Sequence, residues 1–321
     1  MSRYQRQSML PEIGESGQQR LAQARVLVIG AGGLGSALLP LLAAAGAGYL
    51  RLYDGDRVEE HNLHRQTLYG MQDIGEEKVF CARRALATRN PACVVDARPH
   101  ALTASATAAA LDGIDLAIDA ADNFALTYQL SDACLAHRIP LVSASVLGRR
   151  GYVGGFCGGA PSYRALFPQL PGSAANCNTA GVMGPAVATL GAMQAQMALS
   201  ILLNFSPSPL GCLVNCDFVQ WHFRPFRFDS AAEPDRPPVP FIDRHLLTAE
   251  DCIVELRSVD EAPESIADAV QRVLPQQLSD WQPPADRRIV LVCASGIRAA
   301  KAAMALELRG FSHLAMIAAG R

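Results

Sequence analysis

Gly30-Ala31-Gly32-Gly33-Leu34-Gly35 follows the β-branched run Val26 to Ile29 and opens a stretch rich in alanine and leucine. A glycine turn between a strand and a helix aims backbone amides and the positive end of the helix dipole at one point, which suits phosphate oxygens. Asp54 closes the next apolar run, where a carboxylate accepts hydrogen bonds from ribose hydroxyls. Together they predict a nucleotide site without separating NAD from ATP; a glycine turn that serves only helix packing is the plainer alternative. Further along stand Asp56, Asn62, Arg65, Gln66, Lys78, Asp122 and Asn123. Taken singly, Arg65 and Lys78 read as solvated surface charges and Asp122 as a helix N-cap. Near the C-terminus, Val290-Leu291-Val292-Cys293-Ala294-Ser295-Gly296-Ile297-Arg298-Ala299 places a cysteine directly after a strand, in a loop that leads into a helix. The helix dipole, successive amides and Arg298 would lower the pKa of that thiol, as a nucleophile requires. A buried structural cysteine is the alternative.

The elements that must position these groups follow from the periodicity. Strand, glycine turn, helix and the strand Leu50 to Tyr53 form a βαβ unit. The pattern repeats: a helix Glu76 to Arg89 stopped by Asn90-Pro91, a strand Val94 to Ala97, a helix near Ala104 to Leu111, a strand Leu116 to Asp119, a helix Ala125 to Arg138 and a strand Leu141 to Ala144. Such alternation predicts an α/β fold, a doubly wound, Rossmann-like parallel sheet covered by helices. Beyond Gly151 the chain is glycine-rich and strand-like, then enters an uncharged helix from about Gly184 to Leu203. Residues 231–240 concentrate Pro234, Pro237, Pro238 and Pro240, which exclude helix and central strand and predict a semi-rigid linker. Residues 241–321 then predict a second, small α/β domain with a strand Ile253 to Leu256, a helix near Ile266 to Leu274, a strand Ile289 to Val292 and a helix Ala299 to Leu308.

Composition narrows the partners. The 321 residues are 50% hydrophobic and 18% charged, a globular balance. Lys plus Arg at 28 against Asp plus Glu at 30 gives a net charge of -2, which supplies no broad attraction to nucleic acid or to a membrane surface. The apolar stretches Val26 to Leu50 and Ala180 to Phe205 are broken by glycine, proline or glutamine and lack basic flanks, so neither reads as a membrane span. The N-terminal residues lack the pattern of a secretory signal and nine scattered cysteines read as reduced thiols, so a cytoplasmic location is expected.

Seven motifs occur in one order: Arg3-Tyr4-Gln5-Arg6-Gln7, Gly32-Gly33-Leu34-Gly35, Asp54-Gly55-Asp56, Asn62-Leu63-His64-Arg65-Gln66, Gly75-Glu76-Glu77-Lys78-Val79, Asp122-Asn123 and Ala180-Gly181-Val182-Met183-Gly184-Pro185. Together they resemble the ThiF/MoeB/HesA group of E1-like enzymes, which activate ubiquitin-like proteins. The resemblance implies an ATP-binding adenylation domain over residues 1–230, with Gly30, Gly32, Gly33, Leu34 and Gly35 at the phosphates and Asp54 at the ribose. Arg65 and Lys78 would neutralise the triphosphate, Asn62 and Gln66 would contact it, and Asp56 and Asn123 would lie beside it. Asp122 matches the family's magnesium-linked carboxylate. Arg6 is similar to an arginine that reaches the neighbouring subunit's nucleotide, which implies a homodimer.

The chain also departs from the group. Ser162 and Ala165 stand where many relatives carry one zinc-binding cysteine pair, and Phe223 to Asp229 lacks the second, so no zinc is expected. Cys212 and Cys216 read as core residues instead, as do Cys81, Cys93, Cys134, Cys157 and Cys252. Cys177, in Asn176-Cys177-Asn178-Thr179, stands where some relatives bond covalently to the activated carrier; an ordinary loop cysteine is the alternative. The stretch Ile289 to Arg321 resembles the rhodanese family, in which the loop cysteine, here Cys293, carries a persulfide; Glu255-Leu256-Arg257 replaces a common Asp-x-Arg and Ala294 a frequent arginine. The two resemblances imply ATP-dependent adenylation of the C-terminal glycine of a ubiquitin-like sulfur carrier ending in Gly-Gly, then sulfur transfer from Cys293 to give a thiocarboxylate. A cysteine desulfurase is a fitting persulfide donor. An NAD-dependent oxidoreductase stays open, though it leaves Arg6, Lys78 and Asp122 without a purpose; so does a non-catalytic carrier-binding scaffold.

Overall fold

The computed structural model describes residues 3–168, 181–284 and 286–320. In chain order the elements are α1 (Gln5–Ser8), α2 (Gly14–Gln23), β1 (Arg25–Ile29), α3 (Gly33–Ala45), β2 (Tyr49–Tyr53), α4 (Lys78–Arg89), β3 (Val94–Arg98), α5 (Thr107–Ala110), β4 (Leu116–Asp119), α6 (Phe124–His137), β5 (Pro140–Leu147), β6 (Arg150–Cys157), α7 (Tyr163–Leu166), α8 (Gly184–Leu202), β7 (Cys212–Asp217) and β8 (His222–Arg227). A second set comprises β9 (Cys252–Glu255), β10 (Val270–Arg272), β11 (Ile289–Cys293), α9 (Ile297–Leu308) and β12 (Leu314–Ala318).

The larger sheet runs β3-β2-β1-β4-β5-β6-β7-β8. Strands from β3 to β5 are parallel, and β6, β7 and β8 continue the sheet antiparallel. Strand β1 explains why both faces are covered: Val26 and Val28 pack into one core with α3 and α8, and Leu27 and Ile29 into the other with α6. A continuous apolar run is what a parallel strand buried on both faces requires. The chain winds from β1 to β2 on one side and returns to β4 on the other, so a crevice opens between the C-terminal ends of β1 and β4. The uncharged α8 is long and apolar enough to cross a bilayer by composition, but it lies against α3, β5 and β6 and buries Val187, Leu190 and Ile201 there.

The second sheet, β10-β9-β11-β12, is wholly parallel, and its own reversal point lies between β9 and β11, where Cys293 ends β11. The helix expected over Ile266 to Leu274 is absent; Val270–Arg272 is a strand whose Val270 pairs with Ile253. The free edge of β9 claims this segment, and Arg272 secures it by donating to the carbonyls of Arg257 and Ala262. Local propensity yields here to strand pairing. The helix expected near Ala104 to Leu111 shortens to the single turn of α5.

Two carboxylates tie the proline-rich segment and its sequel to the first sheet's loops. Glu233 accepts from the amide and hydroxyl of Ser162 at 2.7 and 2.6 Å. Asp243 accepts from the amides of Ala104 and Ser105 at 2.9 and 2.8 Å and from the Ser105 hydroxyl.

Candidate active site

The glycine turn sits at the end of β1, in the crevice. Gly30 has φ +101°, and a Cβ there would stand 2.6 Å from the Ala120 carbonyl oxygen at the end of β4, so only glycine lets the two strand ends meet. The turn is held from three sides. The Gly30 amide donates to the Tyr53 carbonyl at 2.8 Å; the Ala31 amide donates to Asp54 Oδ2 at 2.7 Å; the buried Tyr69 hydroxyl donates to the Ala31 carbonyl at 2.7 Å. Asp54 Oδ1 also receives the Asp56 amide at 2.8 Å. Burial raises the Asp54 carboxyl above its ordinary value, opposed by Lys78 and by these two amides.

A cavity of about 250 Å³ opens over the turn. Of the residues expected at a nucleotide, Gly30, Gly32, Gly33, Leu34, Asp54, Asp56, Asn62, Arg65, Gln66, Lys78 and Asp122 all line it. Lys78, almost wholly buried at the start of α4, reaches exposed Asp56 with Nζ at 2.8 Å. Arg65 is braced by two side chains: Nη2 donates to Asn62 Oδ1 at 2.6 Å and Nη1 lies 2.8 Å from His64 Nε2. Gln66, also nearly buried, has a side-chain carbonyl without a hydrogen-bond partner in the cavity wall, an acceptor that a bound hydroxyl or amine would satisfy.

Three expected residues lie off the cavity. Gly35 packs beneath the Gly30 carbonyl, which leaves no room for a side chain. Asn123 caps α6, its Oδ1 accepting from the Ala125 and Leu126 amides, and lines an adjoining cavity with Asp122, Ser145 and Tyr152. Arg6 is exposed on α1, which is fixed to the far end of α3 by Gln7 donating to the Ala45 carbonyl at 2.9 Å. A helix of that length separates the two ends by roughly 20 Å, so Arg6 does not reach the cavity of its own chain. Cys177 lies outside the described residues.

Cys293 is buried, and its Sγ accepts from the Ala299 amide at 3.3 Å. Glu255 and Arg257 form a buried bidentate pair at 2.9 and 2.7 Å beside this loop, and Arg298 pairs with Glu261. The loop tip rests on the first unit: a Cβ at Gly296 would stand 2.8 Å from Ala125, in the first turn of α6. Ala294, Ser295, Gly296, Ile297 and Arg298 complete the loop, with only Ser295 exposed.

The other described cysteines behave as packing groups. Burial pushes the thiols of Cys93 and Cys157 up to about 11 and about 12. At the first cysteine-pair position, Ser162 caps α7 and Ala165 is the residue whose amide it accepts, at 3.0 Å. Sequence reasoning missed Tyr69, Val187 and Asp119. Tyr69 carries no signal in a single sequence, and Val187 hides in an apolar helix; Asp119 stood three residues before Asp122 and could have been marked.

A family profile described as the ThiF family matches residues 4–237. The "Sulfur carrier protein adenylyltransferase" of Thermus thermophilus is 40% identical over 232 residues, 70% of this chain and 86% of that protein. The "Adenylyltransferase and sulfurtransferase MOCS3" of Sus scrofa is 42% identical over 248 residues, 74% of this chain; the chain spans only 54% of that protein's length. Among solved structures, E. coli MccB superposes with a TM-score of 0.63 at 22% identity, over 73% of this chain and 72% of that one, which speaks to fold alone. On the profile match and the Thermus relative, the chain belongs to the ThiF family of E1-like adenylyltransferases.

Proposed function

We propose that this chain uses ATP to adenylate the C-terminal glycine of a ubiquitin-like sulfur carrier and that Cys293, in a rhodanese-like domain spanning residues 241–321, then delivers sulfur to it. The carrying observation is that one cavity joins the glycine turn, Arg65, buried Lys78 and the Asp122 carboxylate. Bringing a carboxylate onto the α-phosphate sets two anions together while pyrophosphate leaves, and fixed cations and amides lower that barrier. Amides of the glycine turn and Lys78 would hold the phosphates, Arg65 would meet the charge of the leaving group, and Asp54 and Gln66 would take the ribose. The cavity itself carries Asp54, Asp56, Glu59 and Asp122 against Arg65 and Lys78, an acidic surplus that a triphosphate tolerates only with added cations. Magnesium at Asp122 would supply part of that charge, and Arg6 of a second subunit the rest.

In the second stage a persulfide on Cys293 would displace AMP from the acyl-adenylate, leaving an acyl disulfide. Attack by a second thiol on the Cys293 sulfur, Cys177 being a candidate, would release the thiocarboxylate and leave a disulfide for an external thiol reductant to reopen. The test is ATP–pyrophosphate exchange with a panel of carriers ending in Gly-Gly, each followed by intact mass after a sulfur donor is added. Exchange with one carrier and replacement of one terminal oxygen by sulfur are expected. Cys293→Ala should spare exchange and abolish the mass change; a normal mass change in that variant would remove Cys293 from the relay.

A further inference from the structure

Asp119 ends β4 and is 1% exposed, yet the mechanism above does not use it. Among the described residues, the titratable groups that face it are Asp122 on the following loop, Cys134 on α6, Tyr152 on β6 and Tyr163 on α7, all acids and none a cation. A carboxylate in such surroundings is costly unless every lone pair is used. Its oxygens are taken up by two elements and the following turn: Oδ2 accepts from the Thr127 hydroxyl of α6 at 2.7 Å and the Ser143 hydroxyl of β5 at 2.9 Å, and Oδ1 from the Ala121 amide at 3.2 Å. Its main-chain carbonyl accepts from Gln194 of α8 at 2.7 Å.

These bonds enclose one short turn, Ala120 to Asn123. At its start the Ala120 amide donates to the Ile29 carbonyl at 2.8 Å, and the Ala120 carbonyl lies against Gly30. At its end Thr127 reaches back to Asn123, with the Thr127 amide 3.0 Å from the Asn123 carbonyl. Asp122 and Asn123 are the exposed residues of this turn, and Asp122 lines both cavities. We infer that Asp119 is a positioning residue for adenylation, fixing the turn that presents Asp122 to the reacting centre. This rests on the adenylation proposed above. An alanine would strip three donors of their acceptor, whereas an asparagine keeps one acceptor oxygen and donates to the two hydroxyls, which rotate to accept.

The experiment compares the full-length wild type with Asp119→Ala and Asp119→Asn by ATP titration, by the kcat of carrier-dependent ATP–pyrophosphate exchange, and by amide hydrogen exchange over residues 120–126. In Asp119→Ala, kcat should fall by about tenfold or more, the ATP Kd should change by less than about threefold, and the 120–126 amides should exchange faster. Asp119→Asn should return all three to near the wild-type values. Unchanged kcat in Asp119→Ala, or losses of rate and ATP affinity in equal measure, would overturn the inference. If the wild type shows no exchange with any carrier, the adenylation proposal fails instead, and unaltered 120–126 amides in Asp119→Ala would still refute the hold on the turn.

Discussion

Burial pushes the Asp119 carboxyl from its ordinary 3.8 to about 6, against the pull of the Thr127 and Ser143 hydroxyls and the Ala121 amide. The folded chain therefore keeps a proton there that the unfolded chain releases nearer 3.8, so stability falls as pH rises through that window and stays lower above it. Two pKa units correspond to about 3 kcal/mol as an upper bound. Asp119→Asn should accordingly melt higher than wild type at pH 8, with the difference shrinking toward pH 4; a variant less stable than wild type at pH 8 would contradict a desolvated carboxylate. Lys78 allows a complementary test, because its partner Asp56 is exposed and loses little when released. Lys78→Ala should weaken ATP binding by about ten- to a hundredfold, as loss of a charge-assisted phosphate contact does. The residues at these positions were legible in unequal degree. Asp54 stood out as the carboxylate that closes the strand after a glycine turn, and Arg65, Lys78 and Asp122 only through the motifs that resemble the E1-like group, whereas Tyr69 acts through one hydroxyl on one carbonyl and is indistinguishable in sequence from any core tyrosine.

Strands and helices of the first sheet were readable because β-branched runs and alanine-rich helices alternate, and strand β4 falls on the residues that the apolar run Leu116 to Asp119 marks. The segment at 266–274 was not, because its apolar spacing fits a helix while the open edge of β9 offers a better partner, and no local pattern records that edge. Within the glycine turn, element packing and ligand contact separate cleanly. A methyl at Gly35 would collide with the Gly30 carbonyl, but one at Gly32 would meet only Gln66 Nε2, at 3.7 Å. Gly35→Ala should lower the melting temperature sharply, while Gly32→Ala should cost no more than about 1 kcal/mol and act chiefly on ATP affinity. Equal loss of stability in both would mean that Gly32 serves packing and not the phosphates. The α7 region makes a parallel point: with Ser162 and Ala165 at the cysteine positions, the Ser162–Glu233 bonds take over the tie between loop and linker. Glu233→Ala should then destabilise by about 1 to 2 kcal/mol, as a charged hydrogen bond to a cap does, and exhaustive chelation should leave wild-type melting unchanged; one zinc per chain on metal analysis would refute this.

At the scale of the whole molecule the proposed chemistry would be divided among groups that the single chain keeps apart. Arg6 sits at the far end of α3 from the cavity, so its proposed contribution requires a second subunit. Arg6→Ala and Lys78→Ala chains, each deficient alone, should recover about a quarter of wild-type exchange when mixed, since half the dimers are mixed and each has one intact site; no recovery would place Arg6 outside the site. Cys293 is separated differently, by a docked arrangement in which Gly296 rests on Ala125 and Asp243 grips the Ala104 and Ser105 amides. On the proposed relay a persulfide donor would have to approach Sγ in line, which a buried thiol does not admit, so the loop would have to leave α6 before it could be loaded. The Asp243 grip is the contact best placed to set how often that happens, because it ties the entry of the second unit to a loop of the first. Loss of two or three charged hydrogen bonds should shift the docked equilibrium by more than a factor of ten. Asp243→Ala should therefore raise the alkylation rate of Cys293, read by peptide mass, by about that factor while ATP affinity holds steady. Alkylation of Cys293 in the wild type as fast as that of a free small thiol would show that the loop is already open in solution, and an Asp243→Ala rate equal to wild type would show that the seal is made elsewhere.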